Sequence, residues 1–465
     1  MKKIFVLLLL LLFAVQDIAA AKNWSAVEQA RMAYICALAD MAVYNTTMNK
    51  AVREEMQQFG WAFKDYKNTD RRADTIFYTV LHDGDAPNER NTLVVIPGTE
   101  KLKDIEVDLR FSKVVFGGTS PKEFREYAAI EKAAATQPMV HRGFNDYTMT
   151  AFFSPNQEQV MGAEYLRQFV DASNDHLFLT GHSLGGAVAT LLAARLVASG
   201  ADPEKISVFT FGAPTVGNTA FAEEYGYRLD LSRYTMSGDP VKNALQMFKS
   251  DYVHFGTEYK WQKNENSHRF NHSMAGYLDA AVRNYYDELL GKDLSLQQLA
   301  ACKPEPLGDT QPAAPGSWYG EAAGRRLYIA PVYAELPEPI SNDAGYMQAV
   351  AGDILMNRFQ HIAVGRAAAA GTAVDTLFSA CQAAEEAGCD TVAMLTISAE
   401  ADKGVADLYR LAVDASFYDT AGVPLLKSMT STTTKEITPI EAVMYDMARI
   451  SEDISQAQVQ GVLPE

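Results

Sequence analysis

One short stretch of the chain has the residue types and spacing of a nucleophilic serine: Gly181-His182-Ser183-Leu184-Gly185-Gly186. It follows an apolar run at 177–180 and precedes an alanine- and leucine-rich run at 187–197, so G-x-S-x-G lies between a predicted strand and a predicted helix. That context is typical of a tight turn that exposes the serine Oγ at a strand's carboxyl end. The glycines allow close approach of strand and helix, and the helix N-terminus favours negative charge beside Ser183. The alternative is a glycine-rich turn with an incidental serine.

A serine nucleophile needs a base and an acid that orients the base. The best acid downstream is Asp239, because it follows a predicted strand at 232–236 and the carboxyl ends of parallel strands gather at one edge. Asp230 and Asp251 are less well placed. The alternative for Asp239 is a turn-forming aspartate before Pro240.

Three histidines follow this acid within the first domain: His254, His268 and His272. His272 opens a predicted helix at 271–290 after a polar loop, so its ring can reach over Ser183. His254 falls in a predicted strand and is interpreted as a packed residue. His268 competes with His272 on the residues alone.

Stabilising an oxyanion requires two donors beside the serine. The N–H of Leu184 comes with the turn itself. The second donor is expected in the loop after an earlier strand, at Gly98-Thr99, where Thr99 offers both an N–H and a hydroxyl. The alternative for Thr99 is an ordinary turn residue.

The elements that must position these residues alternate between strand and helix. Strands are predicted at 74–81, 91–96, 177–180, 206–212, 232–236 and 252–261, and the stretch 139–144 is predicted to be a strand that leads into a helix. Helices are predicted at 24–59, 124–134, 157–171, 187–197, 219–225 and 271–290. This order predicts an α/β fold, a mostly parallel sheet flanked by helices. The continuous β-branched run at 91–96 suits a strand covered on both faces. The amphipathic stretch Lys101 to Phe111 is either a short lid or a plain surface helix.

A proline-rich stretch at 303–324 reads as a linker between a first domain at 22–302 and a second at 325–465. Beyond it the predicted elements follow a βαβαβββα order, which indicates a small α+β domain. Its elements are predicted at 326–332, 346–359, 361–364, 374–387, 391–398, 405–418, 425–434 and 440–454. This second domain contains no G-x-S-x-G, metal cluster or phosphate loop.

The composition and net charge limit the classes of molecule that the protein is expected to bind. The 465 residues are 48% hydrophobic and 21% charged, with a formal net charge of -17. That charge argues against nucleic acid and against electrostatic binding to anionic membranes, but not against apolar contact with lipid. We expect no metal and no organic cofactor.

The first residues read as a secretory signal. Lys2 and Lys3 precede an apolar run at 4–15, and small residues at 19–21 fit cleavage after Ala21. The run is short for a membrane span, and an uncleaved anchor is the alternative. The protein is therefore expected to be exported, periplasmic or extracellular.

The four cysteines allow three pairings in an oxidising compartment. Cys381 and Cys389 would lie roughly 12 Å apart along one helix, which is too far for a disulfide. A bridge between Cys36 and Cys302, which would join the two ends of the first domain, is our hypothesis.

Several ordered motifs give residues 24–295 a resemblance to the class 3 lipases, the family of the filamentous-fungal triacylglycerol lipases. The matching stretches are Pro97-Gly98-Thr99, His141-Arg142-Gly143-Phe144, Gly181 to Gly186, Gly212 to Asn218, Gly238-Asp239-Pro240-Val241, His254 to Glu258, and His272-Ser273-Met274 with Tyr277. The resemblance implies an α/β-hydrolase fold, a triad of Ser183, Asp239 and His272, and oxyanion donors at Thr99 and Leu184. A fungal-type bridge would also suit Cys36 and Cys302.

The chain departs from the family pattern at two supporting positions, where Pro97 and Thr215 stand in place of arginine. The stretch 101–111 has few large apolar residues, which puts strong interfacial activation in doubt. The second domain lies outside this resemblance and is weakly similar to small periplasmic domains of TolB amino-terminal or LpoB type.

The sequence therefore predicts an exported serine carboxylic-ester hydrolase that acts on lipid or other acyl esters. The alternative is an envelope-associated binding protein, with a vestigial lipase domain and an envelope partner bound through residues 325–465.

Overall fold

The computed structural model describes residues 24–45, 48–67, 76–83, 90–98, 112–155, 160–171, 175–241, 251–262, 272–290, 326–365 and 377–464. In the described residues up to 290, the helices are α1 Ala26–Tyr44, α2 Asn49–Gln58, α3 Pro121–Ala128, α4 Arg142–Phe153, α5 Gly162–Asp171, α6 Leu184–Ala198, α7 Thr219–Tyr225 and α8 Met274–Leu290. The strands there are β1 Trp61–Lys67, β2 Ile76–Asp83, β3 Arg90–Ile96, β4 Lys113–Val115, β5 Met139–His141, β6 Asp175–His182, β7 Ile206–Phe211, β8 Gly217–Asn218, β9 Asp230–Met236, β10 Tyr252–Val253 and β11 Thr257–Trp261.

A seven-stranded sheet in the order β1-β2-β3-β6-β7-β9-β11 carries the first part of the chain. The strands from β3 to β11 are parallel, and β2 and β1 add antiparallel pairs at one edge. The predicted mostly parallel sheet is confirmed. A smaller antiparallel sheet follows the order β10-β8-β5-β4.

Both faces of the central sheet are covered, as the apolar run of β3 predicts. Leu93 and Val95 belong to a core with α1 and α8, whereas Val94 and Ile96 belong to a core with α4, α5 and α6. Alternate side chains of one strand thus enter two different cores, which explains the unbroken apolar pattern.

Two strand predictions need correction. The strand β1 lies where no strand was predicted. The single strand expected at 252–261 is two strands in different sheets, because Gly256 breaks it with φ +76. A Cβ on Gly256 would lie 2.6 Å from the Leu231 carbonyl oxygen, so this break requires glycine.

Three helices also differ from their predicted bounds. The one expected at 271–290 begins at Met274, the one at 157–171 begins at Gly162, and the one at 124–134 is α3. The candidate lid at 101–111 lies outside the described residues.

The C-terminal elements follow the predicted order, with a short added strand and helix. They are β12 Leu327–Ile329, β13 Tyr333–Glu335, α9 Glu338–Ser341, α10 Ala344–Met356, β14 Ile362–Val364, α11 Leu377–Glu386, β15 Thr391–Ala401, β16 Tyr409–Asp419, β17 Pro424–Thr433 and α12 Pro439–Val459. The sheet order is β14-β12-β15-β16-β17, with β13 paired to β15, and β15 to β17 are antiparallel. The small α+β architecture is thus observed, while its resemblance to periplasmic domains remains a prediction.

The hypothesis of a disulfide at Cys36 is wrong for this structure. Cys36 is a free thiol, fully buried in α1 between the sheet and its covering helices. Its predicted partner, Cys302, lies outside the described residues. Cys381 and Cys389 are also free, as their spacing predicts.

No helix within the described ranges has both the length and the apolar character needed to cross a bilayer.

A junction joins the two sheet systems. Buried apolar residues of α1 and α8 belong to the same core as those of α10 and α12 in the C-terminal part. Polar pairs lie across it: Arg283 Nη1 donates to Asp343 Oδ1 at 2.9 Å, and Tyr286 Oη donates to Asp353 Oδ2 at 2.8 Å. The described residues before and after the predicted linker thus share one apolar core.

Two carboxyl groups in this junction have raised pKa values. Burial, reinforced by the charge of Asp353, raises the pKa of Glu55 to about 8. Loss of hydration raises the pKa of Asp353 to about 6. Tyr34 Oη contacts Glu55 Oε1 at 3.4 Å, which is weak compensation for a buried charge.

This arrangement predicts a junction that loses stability as the pH rises. The folded pKa of each carboxyl lies above its unfolded value, so the folded state binds more protons, and its advantage disappears as the pH passes from about 5 to about 9. We expect Glu55→Gln to raise the melting temperature at pH 9 by about 2–4 °C relative to the wild type, the shift that roughly 1 kcal/mol produces in a domain of 150–250 residues.

Thermal unfolding at pH 5 and pH 9 checks this expectation. The matched control is Glu126→Gln, an exposed glutamate of α3, which should leave the pH dependence unchanged. Equal pH dependence in Glu55→Gln and the wild type would contradict the assignment.

Candidate active site

The backbone at Ser183 has an unusual conformation. Ser183 joins β6 to α6 with φ 55 and ψ -122, one of two described non-glycine residues with a positive φ. Such a conformation costs free energy for a residue with a Cβ and persists where the surroundings enforce it. The Ser183 N–H donates to the Phe211 carbonyl at 2.9 Å, which ties the turn to β7.

Three glycines around this turn stand where there is no room for a Cβ. A Cβ on Gly181 would lie 2.3 Å from the Gly185 carbonyl carbon. One on Gly185 would lie 2.0 Å from the Ile96 carbonyl oxygen at the end of β3. One on Gly186 would lie 2.7 Å from the Cβ of Ala213. The three glycines therefore hold β3, β6, α6 and the loop after β7 closer together than any other residue allows.

The structure brings Ser183, His272 and Asp239 into one hydrogen-bonded chain. His272 Nε2 lies 2.9 Å from Ser183 Oγ, and His272 Nδ1 lies 2.9 Å from each carboxyl oxygen of Asp239. A carboxylate accepts, so Nδ1 donates and Nε2 of the neutral ring accepts the serine proton. The side chains of His272 and Asp239 are 7% and 0% exposed, so the chain is shielded from water.

The Asp239 carboxylate accepts two further hydrogen bonds. Tyr277 Oη donates to Oδ2 at 2.6 Å, and the Val241 N–H donates to Oδ1 at 2.8 Å. Burial and the neighbouring Asp239 raise the pKa of Tyr277, so its hydroxyl stays protonated and donates. These bonds fix the carboxylate in the orientation that meets the imidazole.

Gly212 makes room for this pair of side chains. Its φ is +57, and a Cβ there would lie 2.6 Å from Asp239 Oδ2 and 2.8 Å from Tyr277 Oη. The sequence included Gly212 and Tyr277 among the family motifs but did not reveal this contact, since they lie 65 positions apart. The available signal was that Tyr277 sits in the first turns of a helix that starts just after His272.

The competing candidates lie elsewhere. Asp230 stands at the opposite end of β9, where it accepts from Ser207 Oγ at 2.7 Å. Asp251 is exposed and pairs with Lys113. His254 follows β10 of the smaller sheet, rather than lying inside a strand as predicted. His268 lies outside the described residues.

The predicted oxyanion donors have different outcomes. Leu184 is the first residue of α6, and a first-turn N–H has no partner within its own helix. Thr99 lies outside the described residues. Its neighbour Gly98 is described, and the Gly98 N–H donates to Tyr44 Oη at 2.8 Å.

His182, the residue before Ser183, packs beside His272. Its ring is buried, with its centroid 4.7 Å from that of His272. Burial, followed by the nearby His272, lowers the pKa of His182 well below its ordinary value. The ring is therefore neutral, and it adds no second positive charge beside His272.

Among the described residues, no three histidine, cysteine, aspartate or glutamate side chains are grouped to hold a metal ion. The Ser183, His272 and Asp239 side chains together can carry out nucleophilic attack and proton transfer.

A serine at a strand–helix turn on a mostly parallel sheet, followed along the chain by an aspartate and a histidine, defines an α/β-hydrolase fold. Residues 93–248 match the family model for lipase (class 3). The resemblance to the class 3 lipases is thereby confirmed over this third of the chain.

Individual relatives agree with the family match. The secreted mono- and diacylglycerol lipase A of Penicillium cyclopium is 35% identical over 109 residues, which cover 23% of this chain and 34% of the relative. Phospholipase A1-II 3 of Oryza sativa subsp. indica is 34% identical over 181 residues, which cover 35% of this chain and 41% of the relative. The chain thus spans about a third to two fifths of the length of these curated relatives.

Among solved structures, the triacylglyceride lipase of Rhizomucor miehei is 22% identical, with a TM-score of 0.38 over 52% of this chain and 83% of that chain.

The glycine contacts predict the effect of adding one methyl group at the turn. Gly185→Ala would place a Cβ 2.0 Å from backbone oxygen, so the turn must open or the protein must unfold. We expect a loss of more than about 3 kcal/mol, comparable to severe overpacking of a core.

The matched control is Gly352→Ala in the interior of α10, where a Cβ meets no atom within 4 Å. This change should stabilise by about 0.5–1 kcal/mol through helix propensity. Chemical denaturation of the two variants checks the expected loss of stability in Gly185→Ala and the expected gain in Gly352→Ala. A Gly185→Ala protein as stable as the wild type would show that the turn tolerates a Cβ.

Proposed function

We propose that this protein is a serine carboxylic-ester hydrolase that acts on the acyl esters of lipids. In this proposal Ser183 is the nucleophile, His272 the general base and Asp239 the acid that orients it. The observation that carries the proposal is the continuous hydrogen-bonded chain from Ser183 Oγ through His272 to Asp239.

The reaction starts with a neutral His272. As Ser183 Oγ attacks the ester carbonyl carbon, its proton passes to His272 Nε2, and the Asp239 carboxylate stabilises the imidazolium that forms. Collapse of the tetrahedral intermediate breaks the bond to the alcohol oxygen, which takes the proton from Nε2. Water then attacks the acyl-enzyme by the same route and releases the carboxylic acid.

The oxyanion of each tetrahedral intermediate needs donors close to Ser183 Oγ. The Leu184 N–H is one proposed donor, since it belongs to the positive N-terminus of α6. Thr99 is proposed as the second, because it follows Gly98, whose position beside the turn is described. A Cβ on Gly98 would lie 3.1 Å from the Gly185 nitrogen, so the two loops are adjacent.

Lipid esters are the proposed substrate class because the matched relatives bear the names of acylglycerol lipases and phospholipases A1. Both kinds of name imply cleavage of a carboxylic ester on a glycerol-type backbone.

We propose that the protein is exported, with cleavage near Ala21, on the basis of the apolar stretch at 4–15 and a relative named as secreted. A protein isolated from its host with Met1 still in place would contradict this proposal.

Replacement of the nucleophile is the direct test of function. Ser183→Ala should lower kcat on p-nitrophenyl esters by at least about 10⁴-fold, because it removes the hydroxyl that lies 2.9 Å from His272 Nε2. Hydrolysis of a chain-length series by wild type and variant measures this loss, and the preferred length separates a lipase from a short-chain esterase. Wild-type rates in Ser183→Ala would refute the assignment.

The acid has a matched control in the same assay. Asp239→Asn should lower kcat by about 10³–10⁴-fold, because an amide cannot stabilise the imidazolium and favours the wrong tautomer. Asp251→Asn changes the same chemical group at an exposed ion pair, so its kcat should equal the wild-type value. Similar losses in both variants would assign no special role to Asp239.

A binding protein with a vestigial hydrolase domain is the second candidate. The intact hydrogen-bonded chain of Ser183, His272 and Asp239, which brings together three separate parts of the sequence, counts against it. A folded wild-type protein with no hydrolysis of any ester in the series would favour the binding role. An envelope partner for residues 325–465 remains a prediction.

A further inference from the structure

Tyr44 links the two chain segments that surround the reactive serine. It is the last residue of α1 and is half-buried. Its Oη accepts the Gly98 N–H at 2.8 Å and donates to the His182 carbonyl at 3.2 Å. One hydroxyl therefore makes two backbone hydrogen bonds, one to the loop after β3 and one to the turn after β6.

Both bonded groups stand immediately before a proposed catalytic position. Gly98 precedes Thr99, the proposed oxyanion donor, and His182 precedes Ser183. The two segments are in tight contact, because a Cβ on Gly98 would lie 2.3 Å from Tyr44 Oη and 2.5 Å from the His182 oxygen. The Tyr44 hydroxyl thus lies between the loop after β3 and the turn after β6, and its two hydrogen bonds set the distance between them.

We propose that Tyr44 is a positioning residue that fixes Gly98, in the loop after β3, against the turn that carries Ser183 and the Leu184 N–H. This inference rests on the proposed function. Leu184 is fixed to α6, whereas Gly98 is held to the turn through Tyr44. In the sequence, Gly98 precedes the residue proposed as the second oxyanion donor. Without the hydroxyl, β3 stays in the sheet, but the loop after it loses the hydrogen bond at Gly98 that sets its distance from Ser183.

The reactive chain itself does not depend on this hydroxyl. The hydrogen bonds of Ser183, His272 and Asp239 include no atom of Tyr44. The Tyr44 ring lies edge-on to His182, with centroids 5.3 Å apart, and a phenylalanine keeps that contact. Tyr44→Phe therefore removes the link between the loops and leaves the base in place.

A second tyrosine hydroxyl offers a matched control. At the other end of α1, Gln29 Nε2 donates to Tyr234 Oη at 2.7 Å. Tyr234 lies on β9, two strands away from His182, and its hydroxyl bonds α1 rather than the turn at Ser183. Tyr234→Phe likewise removes one hydroxyl between α1 and the sheet, but it touches neither oxyanion loop.

The test is ester hydrolysis by full-length wild type, Tyr44→Phe and Tyr234→Phe, with rates divided by the active sites that a fluorophosphonate titrates. Partial loss of folded protein then does not enter kcat. We expect Tyr44→Phe to lower kcat about 10- to 100-fold with KM within about twofold, somewhat less than the loss of a whole oxyanion donor. Tyr234→Phe should keep the wild-type kcat.

The pH profile separates positioning from damage to the base. The acid limb of kcat/KM should be unchanged in Tyr44→Phe, since His272 keeps its partners. A wild-type kcat in Tyr44→Phe, an equal loss in Tyr234→Phe, or a shifted acid limb would each overturn the role of Tyr44 and leave the proposed function intact. An inactive wild type would refute the proposed function and this role with it.

Discussion

The strained turn at Ser183 is the constraint on which the rest of the structure depends. Its positive φ costs of order 1–3 kcal/mol, and such a conformation persists only where the surrounding structure enforces it. The cost is offset by the burial of the apolar strands and of α6 on both sides of the turn, which fit together only if the turn is made. The glycines at 181, 185 and 186 are the local consequence of that packing.

The same close packing decides where the other site residues lie. Since β6, β7 and β9 are parallel neighbours, the loops that leave their carboxyl ends emerge side by side. Ser183 leaves the first strand, Gly212 the second and Asp239 follows the third. His272 lies just before the start of α8 and Tyr277 lies within it, so that one short stretch of the chain supplies both side chains that bond the Asp239 carboxylate.

Much of this arrangement could be predicted from local signals. Short motifs predict the turn at Ser183 and the order of serine, aspartate and histidine. Continuous apolar runs predict the buried strands. Tyr44 could not be found in this way, because it bonds residues 54 and 138 positions away. The expected bridge at Cys36 failed for a related reason: its position on α1 faces an apolar core, and spacing between cysteines carries no information about that burial.

The helix α1 connects these observations. It lies between the central sheet and a layer formed by α2 and α8, and α10 and α12 pack on the outside of that layer. Residues 29–42 of α1 are mostly buried, so the helix lacks the polar face of a surface helix. Its final residue, Tyr44, therefore has a fixed position relative to the sheet. The C-terminal elements cover the layer that holds α1 in place, so they support the loops around Ser183 whether or not they also bind a partner.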